Sequence, residues 1–223
     1  MSKFGSSIAH RAELGQSFID QVKLPPFDKD DWFRGAYATI QRTLRDGFAP
    51  LSIDEKKRCS EMLFSGIAGL GVCSFDQELR QLIVETAREF SLSIGHAQKL
   101  LSILCKYALA SYLVDPLRLP PRWGELMTNH EMRLPIPIDT IVLFSLKNSH
   151  PSKFGDVNAG RTLDKLRDRY SYWATIDESG RPTSWSRLNG FEVYWSLQTR
   201  VREIAKGRYL SPLEFEMRYL WIP

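Results

Sequence analysis

Gln98-Lys-Leu-Leu-Ser-Ile-Leu-Cys-Lys106-Tyr-Ala-Leu-Ala110 is the stretch on which both fold and chemistry turn. It lies within Ile94 to Val114, the longest apolar run of the chain, whose spacing predicts a helix roughly 30 Å long, enough to cross a small domain. A surface lysine has polar company, whereas Lys106 has apolar or small neighbours on almost every side. At helical spacing Lys99, Ile103, Lys106, Ala110 and Leu113 share one face, so the two lysines point toward one cleft. Burial and a second cation disfavour the ammonium form, which makes a lysine available as an amine nucleophile. The same placement also suits a lysine whose stem is buried and whose head snorkels to water.

Outward from this helix the chain reads as helical almost throughout. Trp32 to Arg45 predicts a helix ended by Gly47, and Ser52-Ile-Asp-Glu55 is a capping box that opens another, running to about Phe64. Gly66, Gly69 and Gly71 punctuate the chain before a helix over Phe75 to Phe90. Five prolines between Pro116 and Ile138 prevent one continuous helix there and predict a structured connection with short turns. That connection ends in Leu134-Pro-Ile-Pro-Ile-Asp139, a stiff approach that delivers one carboxylate to the start of the apolar segment Thr140 to Leu146. A helix N-terminus favours an ionised carboxylate, although aspartate is also an ordinary N-cap. Further on, a basic helix is expected over Arg161 to Tyr172, a turn at Gly180-Arg-Pro182, a helix over Asn189 to Lys206, and a second capping box at Ser211 to Glu214. The fold class is therefore mostly α: one unit over residues 1–223, with the proline-rich connection as the place where two helical lobes would meet around a cleft.

Composition narrows the function. The 223 residues are 43% hydrophobic, which excludes a disordered chain, and 30 Lys and Arg against 26 Asp and Glu give a net charge of +4. Such an excess permits a polyanionic partner without requiring one. Cys59, Cys73 and Cys105 are far apart and have no C-x-x-C spacing, so neither a disulfide framework nor a cysteine zinc site is expected. Met1 to Leu14 has polar and charged residues in place of a signal-peptide stretch, and no run is apolar enough to span a bilayer. The expectation is a cytoplasmic protein with no membrane contact, no cofactor and no metal.

Taken together, the two segments resemble the helix-hairpin-helix DNA glycosylases, and within them the archaeal 8-oxoguanine branch and its bacterial anti-phage relatives. The shared pattern is Gln98-Lys99, Lys106 seven residues after the first lysine, and a long connection to Ile136-Pro137-Ile138-Asp139, so that the recognised core is 94–146. The resemblance implies that Lys106 is the Schiff-base lysine and Asp139 the catalytic aspartate. It extends weakly to Pro212 through Trp221, where it implies that Trp221 and an acid line a base pocket, with Lys99 and Ala110 beside them. The nearest acid is Glu216, with the register off by about one.

One departure bears on substrate: where the family carries a base-stacking aromatic, this chain has Ala110, which would widen the pocket. The resemblance thus implies a glycosylase that flips a modified base out of double-stranded DNA, with glucosylated 5-hydroxymethylcytosine in phage DNA as the bulky candidate and 8-oxoguanine repair, with lyase activity, as the alternative. Candidate phosphate ligands are Arg161, Lys165, Arg167 and Arg169, then Arg200, Arg202, Lys206 and Arg208; each set equally suits a solvated basic face. No obligate protein partner is implied.

A non-catalytic DNA-binding module is the competing reading from another class, since it too needs a basic helical domain. A helical nuclease is disfavoured because Arg88 to His96 and Arg122 to His130 are too widely spaced. A metal-dependent nuclease or deaminase is disfavoured because His10, His96, His130 and His150 form no ligand-spaced pair. Ser65-Gly-Ile-Ala-Gly-Leu-Gly71 lacks the order of a phosphate loop and reads as a helix-ending turn. The tryptophans read as core or cleft-wall aromatics.

Overall fold

The long apolar segment forms helix α5 (Ile94–Val114), started by Ser93, whose side chain accepts from the His96 N–H at 3.1 Å, and stopped at Asp115. Asp115 leaves the helix in extended conformation and its carboxylate takes the Leu117 N–H, so the chain turns at once into a short 3-10 turn. The computed structural model describes residues 8–23, 27, 30–44, 51–71, 73–154, 174–176, 182–184 and 191–220. The other helices are α1 (Ile8–Val22), α2 (Trp32–Leu44), α3 (Ile53–Ala68), α4 (Phe75–Glu89), α6 (Pro121–His130), α7 (Thr140–Ser149), α8 (Pro151–Phe154), α9 (Phe191–Gly207) and α10 (Pro212–Phe215), of which α1, α2, α4 and α6 pack directly on α5. The chain is mostly helical; its described strands, β1 (Ala174–Ile176) and β2 (Pro182–Ser184), form one short antiparallel pair. The buried apolar side chains, from Phe18 in α1 to Leu220, form one core cluster.

Helix α1 was not legible in the sequence, yet it covers more of α5 than any other helix. Its closest approach is at Gly15, where an added Cβ would lie 2.6 Å from the Ala110 carbonyl oxygen and 3.0 Å from Leu113 Cβ. Two small residues, Gly15 and Ala110, let the helices touch backbone to backbone. Arg11 ties the same helix down by donating to Glu131 at 2.6 Å and to Glu214 at 2.8 Å.

Two other differences from the sequence reading have simple causes. Helix α3 runs through Gly66 to Ala68, because Gly66 is where Leu82 of α4 packs, 2.6 Å from where a Cβ would stand. The proline-rich connection contains a ten-residue helix, α6, since Pro121 occupies its first turn, where a missing N–H costs nothing. Trp123 of α6 is fully buried, stacked on Phe64 at 4.6 Å, and donates to the Phe64 carbonyl at 3.2 Å, as befits a core aromatic. The expected helix over 161–172 lies outside the described residues.

Candidate active site

Asp139 reaches its position through an unusual use of backbone hydrogen bonds. In Leu134-Pro-Ile-Pro-Ile-Asp139 the prolines have no N–H, so between Leu134 and Asp139 only Ile136 and Ile138 can donate. Each is met by one buried glutamine amide that returns the bond. Ile138 N–H donates to Gln98 Oε1 at 3.2 Å while Gln98 Nε2 donates to the Ile138 carbonyl at 2.8 Å. Ile136 N–H donates to Gln198 Oε1 at 3.1 Å, and Gln198 Nε2 donates back at 2.6 Å. The segment is thus paired on both sides, to α5 and to α9, without being part of a sheet.

At the end of this clamp Asp139 caps α7, with Oδ1 accepting from the Val142 N–H at 3.0 Å, so the N-cap reading is right as far as it goes. Its other oxygen meets Lys99 Nζ at 3.1 Å. Burial pushes the Asp139 carboxyl up, but Lys99, the Val142 N–H and Lys106 together outweigh it and hold the group below the ordinary carboxylate range. It is an anchored, ionised carboxylate.

Lys106, about two turns beyond Lys99 on α5, is 5% exposed and its Nζ lies 2.9 Å from Glu216 Oε1. The ammonium also sits over the Phe18 ring, 5.1 Å from its centroid. Glu216 is 1% exposed, and among the described residues its Oε2 has no hydrogen-bond partner. Burial pushes the Glu216 carboxyl up; Lys106 opposes the rise, and Asp139 adds to it. Glu216 opens a π-helical turn, Glu216–Leu220, the kind of local rewinding that is frequent at functional sites.

These groups line one cavity of about 190 Å³, with Phe18, Tyr107 and Leu220 among its apolar walls and Arg42 at one side. Lys99, Lys106, Asp139 and Glu216 are therefore brought together. Ala110 is not among the described lining residues: it is fully buried beneath Gly15, so the face it shares with Lys106 is crossed by α1 before it reaches the cavity. Trp221 lies outside the described residues. Phe18, Arg42 and Tyr107 were not found by sequence reasoning; Arg42 donates to the Val22 carbonyl and so bridges α2 to the end of α1.

The basic candidates divide. Arg202 is part-buried, donating to Asp76 at 3.3 Å and to the Arg133 carbonyl, with its guanidinium over the Trp195 ring at 4.6 Å, so it already ties α9 to α4 and to the turn at Arg133. Arg200 donates to the Lys153 carbonyl at 2.9 Å. Lys206 and Arg208 are exposed, Arg208 lying over the Tyr219 ring at 4.8 Å. Arg161, Lys165, Arg167 and Arg169 lie outside the described residues.

No family model, curated protein or solved structure matches this chain. Among the described residues no cluster of His, Cys, Asp and Glu is arranged to hold a metal ion, and no helix is long and apolar enough to cross a membrane.

Proposed function

We propose that the protein is a DNA glycosylase of the helix-hairpin-helix kind, acting in the cytoplasm on a modified base flipped out of duplex DNA. The observation that carries this reading is the juxtaposition of Lys106 and Asp139 on one cavity: an amine from α5 and an ionised carboxylate fixed at the start of α7. Breaking an N-glycosidic bond develops positive charge on the sugar, and a carboxylate already anchored by Lys99 and the Val142 N–H is preorganised to stabilise it. Lys106 would attack the sugar carbon, which displaces the base and leaves a Schiff base open to β-elimination. The aromatic walls and Glu216 would receive the base, while Lys206, Arg208 and Arg200 would meet the backbone.

Ala110, on which the expectation of a glucosylated base rested, is buried against α1 and is not among the described lining residues, so glucosylated and unglucosylated bases are compared directly.

The test is incubation with duplexes carrying 8-oxoguanine, 5-hydroxymethylcytosine, its glucosylated form or only normal bases, followed by alkali. Strand breaks at one modified base, absent with Asp139→Asn, are the expected result. No break in any duplex, with DNA still bound by the wild type and by Asp139→Asn, would leave a non-catalytic DNA-binding module.

A further inference from the structure

The buried pair Lys106–Glu216 poses a chemical problem for the nucleophile. As an ammonium donating to a carboxylate 2.9 Å away, Nζ has no lone pair with which to attack. The pair is shielded from water, with side-chain exposures of 6% and 1%, so solvent cannot readily take the proton. Glu216 is at the same time the one cavity carboxylate with an oxygen, Oε2, that is buried and without a partner among the described residues. A buried acceptor left in this state is costly and is satisfied when a donor arrives. Asp139, by contrast, has both oxygens engaged, by Lys99 and by the Val142 N–H.

We propose that Glu216 gates the nucleophile: it masks Lys106 as an ion pair at rest and releases it as an amine only when a flipped base with N–H donors engages the free Oε2. This rests on the glycosylase reading above and adds to it a residue that couples base recognition to attack. The N–H groups of the base draw the carboxylate of Glu216 off Nζ, and the ammonium, left without its charge partner, gives a proton to an acceptor atom of the base. The freed lone pair forms the bond to the sugar C1′, and the C1′–N bond breaks with its electron pair on the base, which, already protonated, leaves neutral. Glu216 stays a carboxylate throughout. The attached nitrogen gives up its remaining extra proton, and O4′ takes one up as the C1′–O4′ bond breaks and the ring opens to the Schiff base. Glu216 acts through Lys106 and is a positioning and specificity residue, while Lys106 does the chemistry.

The gate predicts a gain of reactivity when the carboxylate is removed, which a merely structural residue could not give. An abasic-site duplex offers the sugar without a base to open the gate, and borohydride traps the Schiff base. At neutral pH, Glu216→Gln is expected to trap this duplex about tenfold faster than wild type or more, the order of one charged partner's influence on protonation. Glu216→Asp, which keeps the charge, is expected to stay near the wild-type rate. Peptide mapping should place the adduct on Lys106 in every case. Trapping by Glu216→Gln that is equal to or slower than wild type, in protein that retains its helical circular dichroism, would overturn the gate while leaving the glycosylase reading intact. No adduct from either protein would instead remove Lys106 as the nucleophile, and the gate with it.

Discussion

Replacing Gly15 with alanine tests how closely α1 lies on the lysine helix. The new Cβ would stand 2.6 Å from the Ala110 carbonyl oxygen, 3.0 Å from Leu113 Cβ and 3.3 Å from Val114 Cγ2. The nearest of these is backbone, so it cannot swing aside, and α1 must lift. Overpacking of this kind costs about 1–3 kcal/mol. Alanine also favours an isolated helix over glycine by about 1 kcal/mol, which works in the opposite direction. Gly124 supplies the control, because it lies at the end of the first turn of α6 and an added Cβ there meets nothing within 4 Å. Gly124→Ala therefore gains the propensity alone, and the difference between the two alanine variants isolates the steric cost at about 1–3 kcal/mol. Urea unfolding followed by circular dichroism measures both. Because α1 also brings Phe18 and Val22 to the cavity wall, Gly15→Ala should reduce activity as well as stability. If the two variants were equally stable, or Gly15→Ala the more stable, α1 would not be seated on Ala110, and the pocket would be wider than described.

Three further outcomes follow from the same geometry. Gln98→Leu removes both bonds to Ile138 and orphans a buried N–H and C=O, so unfolding free energy should fall by at least about 2 kcal/mol, and base release should fall with it as Asp139 loses its anchor; unchanged stability would contradict the clamp. Asp139→Asn keeps an N-capping side chain but loses the charge on Lys99. Since the folded carboxyl is held below its ordinary value of 3.8, its contribution is present above that pH and lost as pH falls through the lower folded value, so the stability gap between wild type and Asp139→Asn should shrink from pH 7 to pH 3. Arg11→Ala leaves Glu131 and Glu214 without their shared cation, and should cost about 1–3 kcal/mol, less than a fully buried pair because Arg11 is 30% exposed; hydrogen exchange should then quicken in α1 before the rest of the core.

What the sequence made legible was local. A run of apolar residues fixes α5, and Ser52 and Ser211 fix helix starts, because a cap is decided within four residues. The delivery of Asp139 to a helix entrance was legible for the same reason. What was not legible depends on contacts distant along the chain. The spacing places Ala110 on the Lys106 face, but nothing near it tells that Gly15 crosses there. Gln198 is 62 positions from Ile136, and its sequence neighbours give no sign that its amide replaces a strand partner. Arg202 reads as one more cation of a basic helix until Asp76, 126 positions away, is found beside it. The π turn at Glu216–Leu220 carries one more residue per hydrogen-bonded ring than an α turn, and no local pattern announces it.

The central claim, that Lys106 and Asp139 act together on a glycosidic bond, is tested most directly by mass spectrometry of the free base released from a panel of modified duplexes under single-turnover conditions. The account predicts release of one modified base by the wild type and its loss in Asp139→Asn, with the variant still folded and still bound to DNA. Equal release by the wild type and Asp139→Asn, or none by either, would contradict it.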